Sequence, residues 1–133
     1  MVLLVLLVLA LFVMQTLLPG RFRDPSPEGV KGVLAENLGN RDHMRPLTVI
    51  GQRAARALAN MQEALPVFLA LALMNMIVAP SAGLAVTGAT VFLIARAAYV
   101  AVYLSGLAVV RTLLWVVAWV GLAMMIAPLL DRI

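Results

Sequence analysis

Eight polar side chains interrupt three apolar stretches of this chain, and their types suit the binding of a small anion. They are Arg53, Arg56, Asn60, Glu63, Arg96, Tyr99, Tyr103 and Arg111. Guanidinium groups bind carboxylates through paired hydrogen bonds, and the tyrosines and the asparagine add further hydrogen-bonding groups. Four arginines against one glutamate leave a formal charge of +3, whose self-repulsion favours an anionic partner. A small molecule with more than one carboxylate, and with an amine for Glu63, fits this set.

The spacing of these residues predicts two helical stripes. Arg56, Asn60 and Glu63 follow one another at intervals of four and three residues, and Arg53 lies one turn earlier, so one helix face holds all four. The second stripe contains Arg96, Tyr99 and Tyr103. Each arginine alone could instead be a structural ion pair or extend to the membrane interface, since insertion scales put a central arginine at only about 2.5–3.5 kcal/mol. Because polar stripes on apolar helices avoid lipid, the two stripes are expected to face protein.

The elements that must position these stripes are membrane helices. Of the 133 residues, 64% are hydrophobic and 12% are charged, whereas soluble domains have roughly 45–50% apolar and about 25% charged residues. We predict one all-α integral membrane domain over 1–133, an antiparallel bundle of four transmembrane helices. The predicted spans are 1–18, 47–78, 83–104 and 107–130, and a polar loop with a short helix near 30–38 covers 19–46.

The order of the helices predicts where the polar residues meet. The second span begins at the loop face, the third ends there and the fourth begins there, so their polar ends share one side of the bilayer. Pro66 is expected to bend the second span just beyond Glu63. Five Lys and Arg residues in the loop place the loop and the site in the cytoplasm and both termini outside. For 1–18, a cleaved signal peptide is the alternative, although no basic segment or cleavage motif supports it.

Composition also excludes several classes of site. The chain has no cysteine and a single histidine, His43, so a disulfide framework, a cysteine nucleophile and a cluster of histidine metal ligands are excluded. No metal site is predicted. The arginines are dispersed among apolar runs, which favours membrane orientation and an anionic ligand over nucleic acid.

The motifs on the three spans resemble the MAPEG family, the membrane-associated proteins in eicosanoid and glutathione metabolism. The pattern R-x3-N-x2-E-x2-P-x-F is followed by R-x2-Y-x3-Y and then by one more arginine. These positions are Arg56, Asn60, Glu63, Pro66, Phe68, Arg96, Tyr99, Tyr103 and Arg111. The segment GNRD at 39–42 resembles the loop of bacterial members, so a bacterial cytoplasmic membrane is the expected location. The resemblance covers nearly the whole chain.

This resemblance implies a homotrimer that binds glutathione as cosubstrate between neighbouring subunits. Arg111 matches the arginine that stabilises the glutathione thiolate in family transferases, and Arg53 matches a nearby basic position. The other six polar residues match the glutathione-binding positions. Two departures argue against an eicosanoid substrate: Ala64 replaces a tyrosine of some eukaryotic members, and the stretch between Tyr103 and Arg111 lacks a further arginine.

The sequence therefore predicts a glutathione-dependent transferase or peroxidase for lipophilic electrophiles or hydroperoxides that arrive through membrane lipid, a detoxification activity. A free thiol titrates near pH 8.5, and the predicted role of Arg111 is to favour the thiolate. Thr112 could assist, although a helical threonine usually bonds its own backbone. The alternative is a non-catalytic lipid-binding or scaffolding member of the same family. A channel is disfavoured because the far half of the bundle offers only Asn75, which we expect to bond between helices.

Overall fold

A computed structural model of the protein describes residues 1–40, 44–80 and 83–132. The predictions that involve Arg41, Asp42 and His43, and part of the turn between Pro80 and Gly83, lie outside the described residues. The regular secondary structure of the described ranges is α-helical, with only an isolated β-bridge between Arg23 and Leu47 besides. The five helices are α1 (Val2–Arg21), α2 (Gly29–Leu38), α3 (Val49–Val78), α4 (Gly83–Ser105) and α5 (Ala108–Leu130).

Four of these helices, all except α2, are long and apolar enough to cross a membrane. The prediction of an all-helical chain with four spans is therefore confirmed. Helix α3 begins at Val49, two residues after the predicted start, because the Thr48 side chain accepts a hydrogen bond from the Gly51 N–H at 3.1 Å and caps the helix. Helix α3 continues through Pro66 without interruption, and a bend at that position stays a prediction.

Helices α3, α4 and α5 pack against one another, and α1 packs on α3 and α4. The centre of the core is a pair of fully buried rings, Phe68 of α3 and Phe92 of α4, stacked with their centroids 4.7 Å apart. Val8 of α1 and Leu122 and Met125 of α5 belong to the same core cluster. This packing fixes the relative positions of the three helices that contain the predicted polar residues.

A glycine pair sets the separation of α4 and α5. A Cβ on Gly88 would lie 2.5 Å from the carbonyl oxygen of Gly121, and a Cβ on Gly121 would lie 2.7 Å from that of Gly88. The two backbones can therefore approach this closely only because both residues lack side chains. Gly88 and its neighbour Ala89 are buried inside the single chain, so these small residues serve packing within the subunit.

Asn75 links α3 to α5 in the half of the bundle away from the loop. Its Nδ2 donates hydrogen bonds to the carbonyl oxygens of Leu71, in its own helix, and of Met125, at 2.9 and 2.8 Å. The prediction that this residue bonds between helices is confirmed.

The loop begins and ends at the same place, because backbone hydrogen bonds join the end of α1 to the start of α3. The Thr48 N–H donates to the Phe22 carbonyl oxygen at 3.0 Å, and the Asp24 N–H donates to that of Pro46 at 3.1 Å. The Arg45 guanidinium pairs with the Glu36 carboxylate of α2, with Nη2 and Oε2 2.9 Å apart. Contacts within the loop thus hold α2 near the residues that precede α3.

Candidate functional site

The connection between α4 and α5 forms the rim of the candidate site. Helix α4 ends when Gly106 takes a left-handed conformation (φ +86°), which glycine adopts at little cost. The same residue gives room to Arg53 of α3, since a Cβ at Gly106 would lie 2.7 Å from Nη1 of that arginine. Arg53 Nη1 donates a hydrogen bond to the Leu104 carbonyl oxygen at 3.1 Å. A side chain of α3 therefore supplies a hydrogen-bond donor to one of the backbone carbonyl groups left unpaired at the C-terminal end of α4.

Two clefts open beside this rim, and both are lined by predicted residues. The smaller cleft has a volume of about 170 Å³ and is lined by Arg53, Arg56, Val102, Tyr103, Gly106 and Arg111. The larger one has a volume of about 240 Å³ and is lined by Asn60, Tyr99, Tyr103, Arg111, Thr112 and Trp115. Tyr103 and Arg111 belong to both linings, so the clefts are adjacent. Side chains of α3, α4 and α5 converge here.

The two tyrosines lie side by side at the clefts: Tyr103 lines both of them and Tyr99 lines only the larger one. Their rings meet edge to face with centroids 5.4 Å apart, and both pack with Ala57 of α3 in one buried cluster. The small Ala57 side chain leaves room for the rings against α3. The guanidinium carbon of Arg111 lies 5.0 Å from the Tyr103 ring centroid, within the range of a cation–π contact. This contact holds the Arg111 guanidinium over the Tyr103 ring.

Arg96 lies beneath the Tyr99 ring and lines neither cleft. It is only 1% exposed, and its guanidinium carbon lies 5.4 Å from the Phe92 ring centroid and 5.6 Å from that of Tyr99. Its Nε and Nη1 have no hydrogen-bond partner in the part of the chain that the structure describes. Tyr99 lines the larger cleft, so its ring separates the buried Arg96 guanidinium from that cleft.

Glu63 differs from the other predicted residues. Its side chain is exposed and lines neither cleft. Over residues 1–40, 44–80 and 83–132, the pair formed by Arg45 and Glu36 is the only salt bridge. The four arginines of the predicted site therefore form no salt bridge with a carboxylate in those ranges.

A family comparison agrees with this arrangement. The model of the MAPEG family matches residues 1–130 of the chain. The chain belongs to the MAPEG family. This membership and the four apolar helices identify a multi-pass membrane protein, from a family that is associated with glutathione and includes glutathione transferases and related enzymes. Searches of curated proteins and of solved structures gave no match.

For this MAPEG protein, the structure brings together six of the eight predicted residues at the two clefts. They are Arg53, Arg56, Asn60, Tyr99, Tyr103 and Arg111. Sequence reasoning missed Val102, Gly106 and Trp115. Only Gly106 had a usable signal, because a glycine that follows an apolar helix and precedes another commonly ends the first one. Thr112 lines the larger cleft, and its hydroxyl donates to the Ala108 carbonyl oxygen at 3.1 Å, as expected for a helical threonine.

Proposed function

We propose that this protein is a membrane-bound, glutathione-dependent transferase or peroxidase whose site comprises the two adjacent clefts. The observation that carries the proposal is an uncompensated cluster of cations: Arg53, Arg56 and Arg111 line the clefts without a carboxylate partner among the described residues. Uncompensated guanidinium groups in a confined site favour an anionic ligand. Glutathione, with two carboxylates, an ammonium group and a thiol, has the required charges.

The dimensions of the clefts also fit an elongated ligand. Neither the cleft of about 170 Å³ nor that of about 240 Å³ reaches the roughly 300–1,000 Å³ typical of small-molecule sites. Since both share Tyr103 and Arg111, one extended molecule could occupy the two together. The tripeptide would then lie along α3, with its middle part over the shared residues.

Each residue has a chemical task in this arrangement. Arg53 and Arg56 bind carboxylate, with Arg53 oriented by its bond to the Leu104 carbonyl oxygen. Asn60 offers a donor and an acceptor to the peptide, and the tyrosine hydroxyls donate. Glutathione supplies a thiolate that displaces a leaving group from carbon, or two thiols that reduce a hydroperoxide to an alcohol and water with formation of the disulfide. Arg111, the cation common to both clefts, stabilises the negative sulfur.

The electrophile would approach from the lipid side of the larger cleft. Trp115 lines that cleft and is 41% exposed on the outer surface of α5. Its ring is followed one turn later by Trp119, with centroids 5.8 Å apart. An apolar, aromatic path next to Arg111 suits lipophilic substrates.

The test is binding and turnover by purified protein reconstituted in lipid. We expect glutathione binding by calorimetry, binding of an S-methyl analogue without turnover, and conjugation of an activated aryl halide or reduction of a lipid hydroperoxide. Arg56→Ala should weaken glutathione binding by about 10-fold or more, the loss expected for a charged hydrogen bond. Arg132→Ala, at the other end of α5, is the matched control and should bind normally. Wild-type protein that does not bind glutathione would refute the proposal, and binding without any turnover would favour a non-catalytic scaffold.

The proposal extends to assembly and orientation. We infer a homotrimer with the loop in the cytoplasm of a bacterial cell. Native mass spectrometry of the purified protein tests the first point, and a monomer in every mild detergent would refute it. Because the chain has no cysteine, Ala35→Cys and Arg132→Cys each create a unique thiol for a membrane-impermeant reagent in whole cells. The proposed orientation predicts labelling at Arg132→Cys and protection at Ala35→Cys.

A further inference from the structure

Helix α2 has an apolar stripe that the rest of the chain does not cover. Val30, Leu34 and Leu38 are 76%, 54% and 85% exposed, and their spacing of four residues places them on one helix face. Within the described residues, α2 packs against none of the other four helices. Three large apolar side chains in a row on a ten-residue helix are unusual for a surface that faces only water.

The opposite face of α2 is the one that contacts the chain. A Cβ on Gly32 would meet Ser26 and Glu28, and Glu36 receives hydrogen bonds from the backbone N–H and the side chain of Arg45. Gly32 and Glu36 are each two residues from Leu34 along the helix, which is about 200° around it at 100° per residue. The contacts of Gly32 and Glu36 therefore direct the apolar stripe away from the folded loop.

The same contacts hold α2 close to the level at which the membrane helices end. Arg45 precedes the cap residue Thr48 by three positions, so the chain places it at most about 11 Å from the start of α3. The base of the loop is fixed between α1 and α3 by the bonds of Thr48 and Asp24. The loop contacts therefore keep α2 next to the ends of α1 and α3, on the side of the membrane where α3 begins.

We propose that α2 is an interfacial helix, which lies on the bilayer surface next to the spans with Val30, Leu34 and Leu38 inserted among the lipids. The occupant of the stripe is the lipid of the membrane that α1 and α3 cross. Lys31, exposed beside the stripe, extends its ammonium group to headgroup phosphates.

The experiment uses the absence of cysteine from the chain. Leu34→Cys on the stripe and Ala35→Cys, which is also exposed but lies about 100° around the helix, are each labelled with an environment-sensitive fluorophore. The full-length proteins are reconstituted in vesicles of phosphatidylcholine and phosphatidylglycerol. Brominated lipids report contact with acyl chains, and iodide reports contact with water.

We expect brominated lipid to reduce the emission of the Leu34→Cys label at least about twofold more than that of the Ala35→Cys label, as for a helix face buried ~5–10 Å into the interface. Iodide should show the reverse order. Equal quenching of both labels by iodide would show that the stripe faces water and would overturn the proposal. Protection of the Leu34→Cys label from both quenchers would overturn it too, because protein would then cover the stripe. Val30→Glu in the Leu34→Cys background should reduce lipid quenching, since a carboxylate on the stripe resists insertion.

Discussion

Arg111 and Tyr103 form the contact at which the two clefts join. The guanidinium carbon of Arg111 lies 5.0 Å from the Tyr103 ring centroid, and these two residues alone belong to both sets of lining residues. An aromatic face attracts the cation while leaving its N–H groups free to bind a ligand. The contact therefore positions a charge at the centre of the site without neutralising it.

The first prediction follows from that charge. Arg111→Ala should lower the rate of conjugation at neutral pH by about 10- to 1,000-fold. One close cation lowers the pKa of an acidic group by about one to three units, and each unit corresponds to about 1.4 kcal/mol of preferential stabilisation of the thiolate. The remaining activity should rise with pH, since hydroxide can supply the thiolate that the variant no longer favours. Steady-state rates across a pH series measure this effect.

A second readout separates this role from a structural one. The ultraviolet absorbance of thiolate in the glutathione complex should be present at neutral pH in wild-type protein and in Arg132→Ala, and absent in Arg111→Ala. An Arg111→Ala variant with the wild-type pH profile and normal thiolate absorbance would contradict the assigned role even if its overall rate were low.

The second prediction concerns the buried arginine. Arg96 is 1% exposed, and two of its nitrogens have no partner among the described residues, an arrangement that costs free energy when the site is empty. Arg96→Met should therefore leave the ligand-free protein as stable as wild type or more stable, while weakening glutathione binding. Thermal unfolding with and without glutathione measures both effects in one series.

The contrast between the two conditions is the important result. Wild-type protein should gain stability on addition of glutathione, and Arg96→Met should gain less. Arg56→Ala is the matched comparison, because its exposed guanidinium should affect binding with little change in the stability of the empty protein. A large loss of stability in ligand-free Arg96→Met would show that the arginine supports the fold rather than the ligand.

The third prediction tests the contact between α4 and α5. Gly88→Ala places a Cβ 2.5 Å from the Gly121 carbonyl oxygen and 2.9 Å from the Met124 Cβ, so the helices must separate. Overpacking of this kind costs about 1–3 kcal/mol, and the free energy of unfolding in detergent should fall by that amount. Gly83→Ala in the same helix is the control, since a Cβ there meets nothing within 4 Å. Equal stability of the two variants would refute the assigned contact.

The sequence predicted which face of a helix each polar residue occupies, because that depends only on the spacing of residues along the helix. The stripe from Arg53 to Glu63 and the order of the spans together predicted that α3, α4 and α5 meet at one end, and six of the eight chosen residues line the clefts. Spacing gives the face on which a residue lies. It does not give how deeply a side chain is buried or which neighbouring helix it contacts.

Arg96 and Glu63 illustrate that limit. Both fit their stripes, yet the structure buries Arg96 beneath Tyr99 and leaves Glu63 exposed outside the clefts. Burial depends on how each helix is rotated against its neighbours, which the spacing of residues along one helix does not specify. The apolar stripe of α2 was missed for another reason: the sequence predicted only a short helix near 30–38, and the structure was needed to show that nothing in the described chain covers its three apolar residues.

The last prediction is a pH dependence of the loop. The backbone N–H and the guanidinium of Arg45 hold the pKa of the Glu36 carboxyl below its usual range. A carboxyl with a lowered native pKa stabilises the folded loop fully above its unfolded pKa of about 4.3, and this contribution is lost as the pH falls through the native value. The fluorescence anisotropy of a label on Ala35→Cys should therefore stay constant at neutral pH and decrease only at acidic pH below about 4.3.

Two substitutions identify the group that is responsible. Glu36→Gln removes the charge that Arg45 binds, so α2 should be more mobile at neutral pH and its acid transition should disappear. Glu28→Gln is the matched control, because the Glu28 side chain makes no capping bond to α2, and its titration curve should follow that of wild type. An acid transition that persists in Glu36→Gln would assign the pH dependence to another carboxyl and would remove the pair with Arg45 as the support of α2.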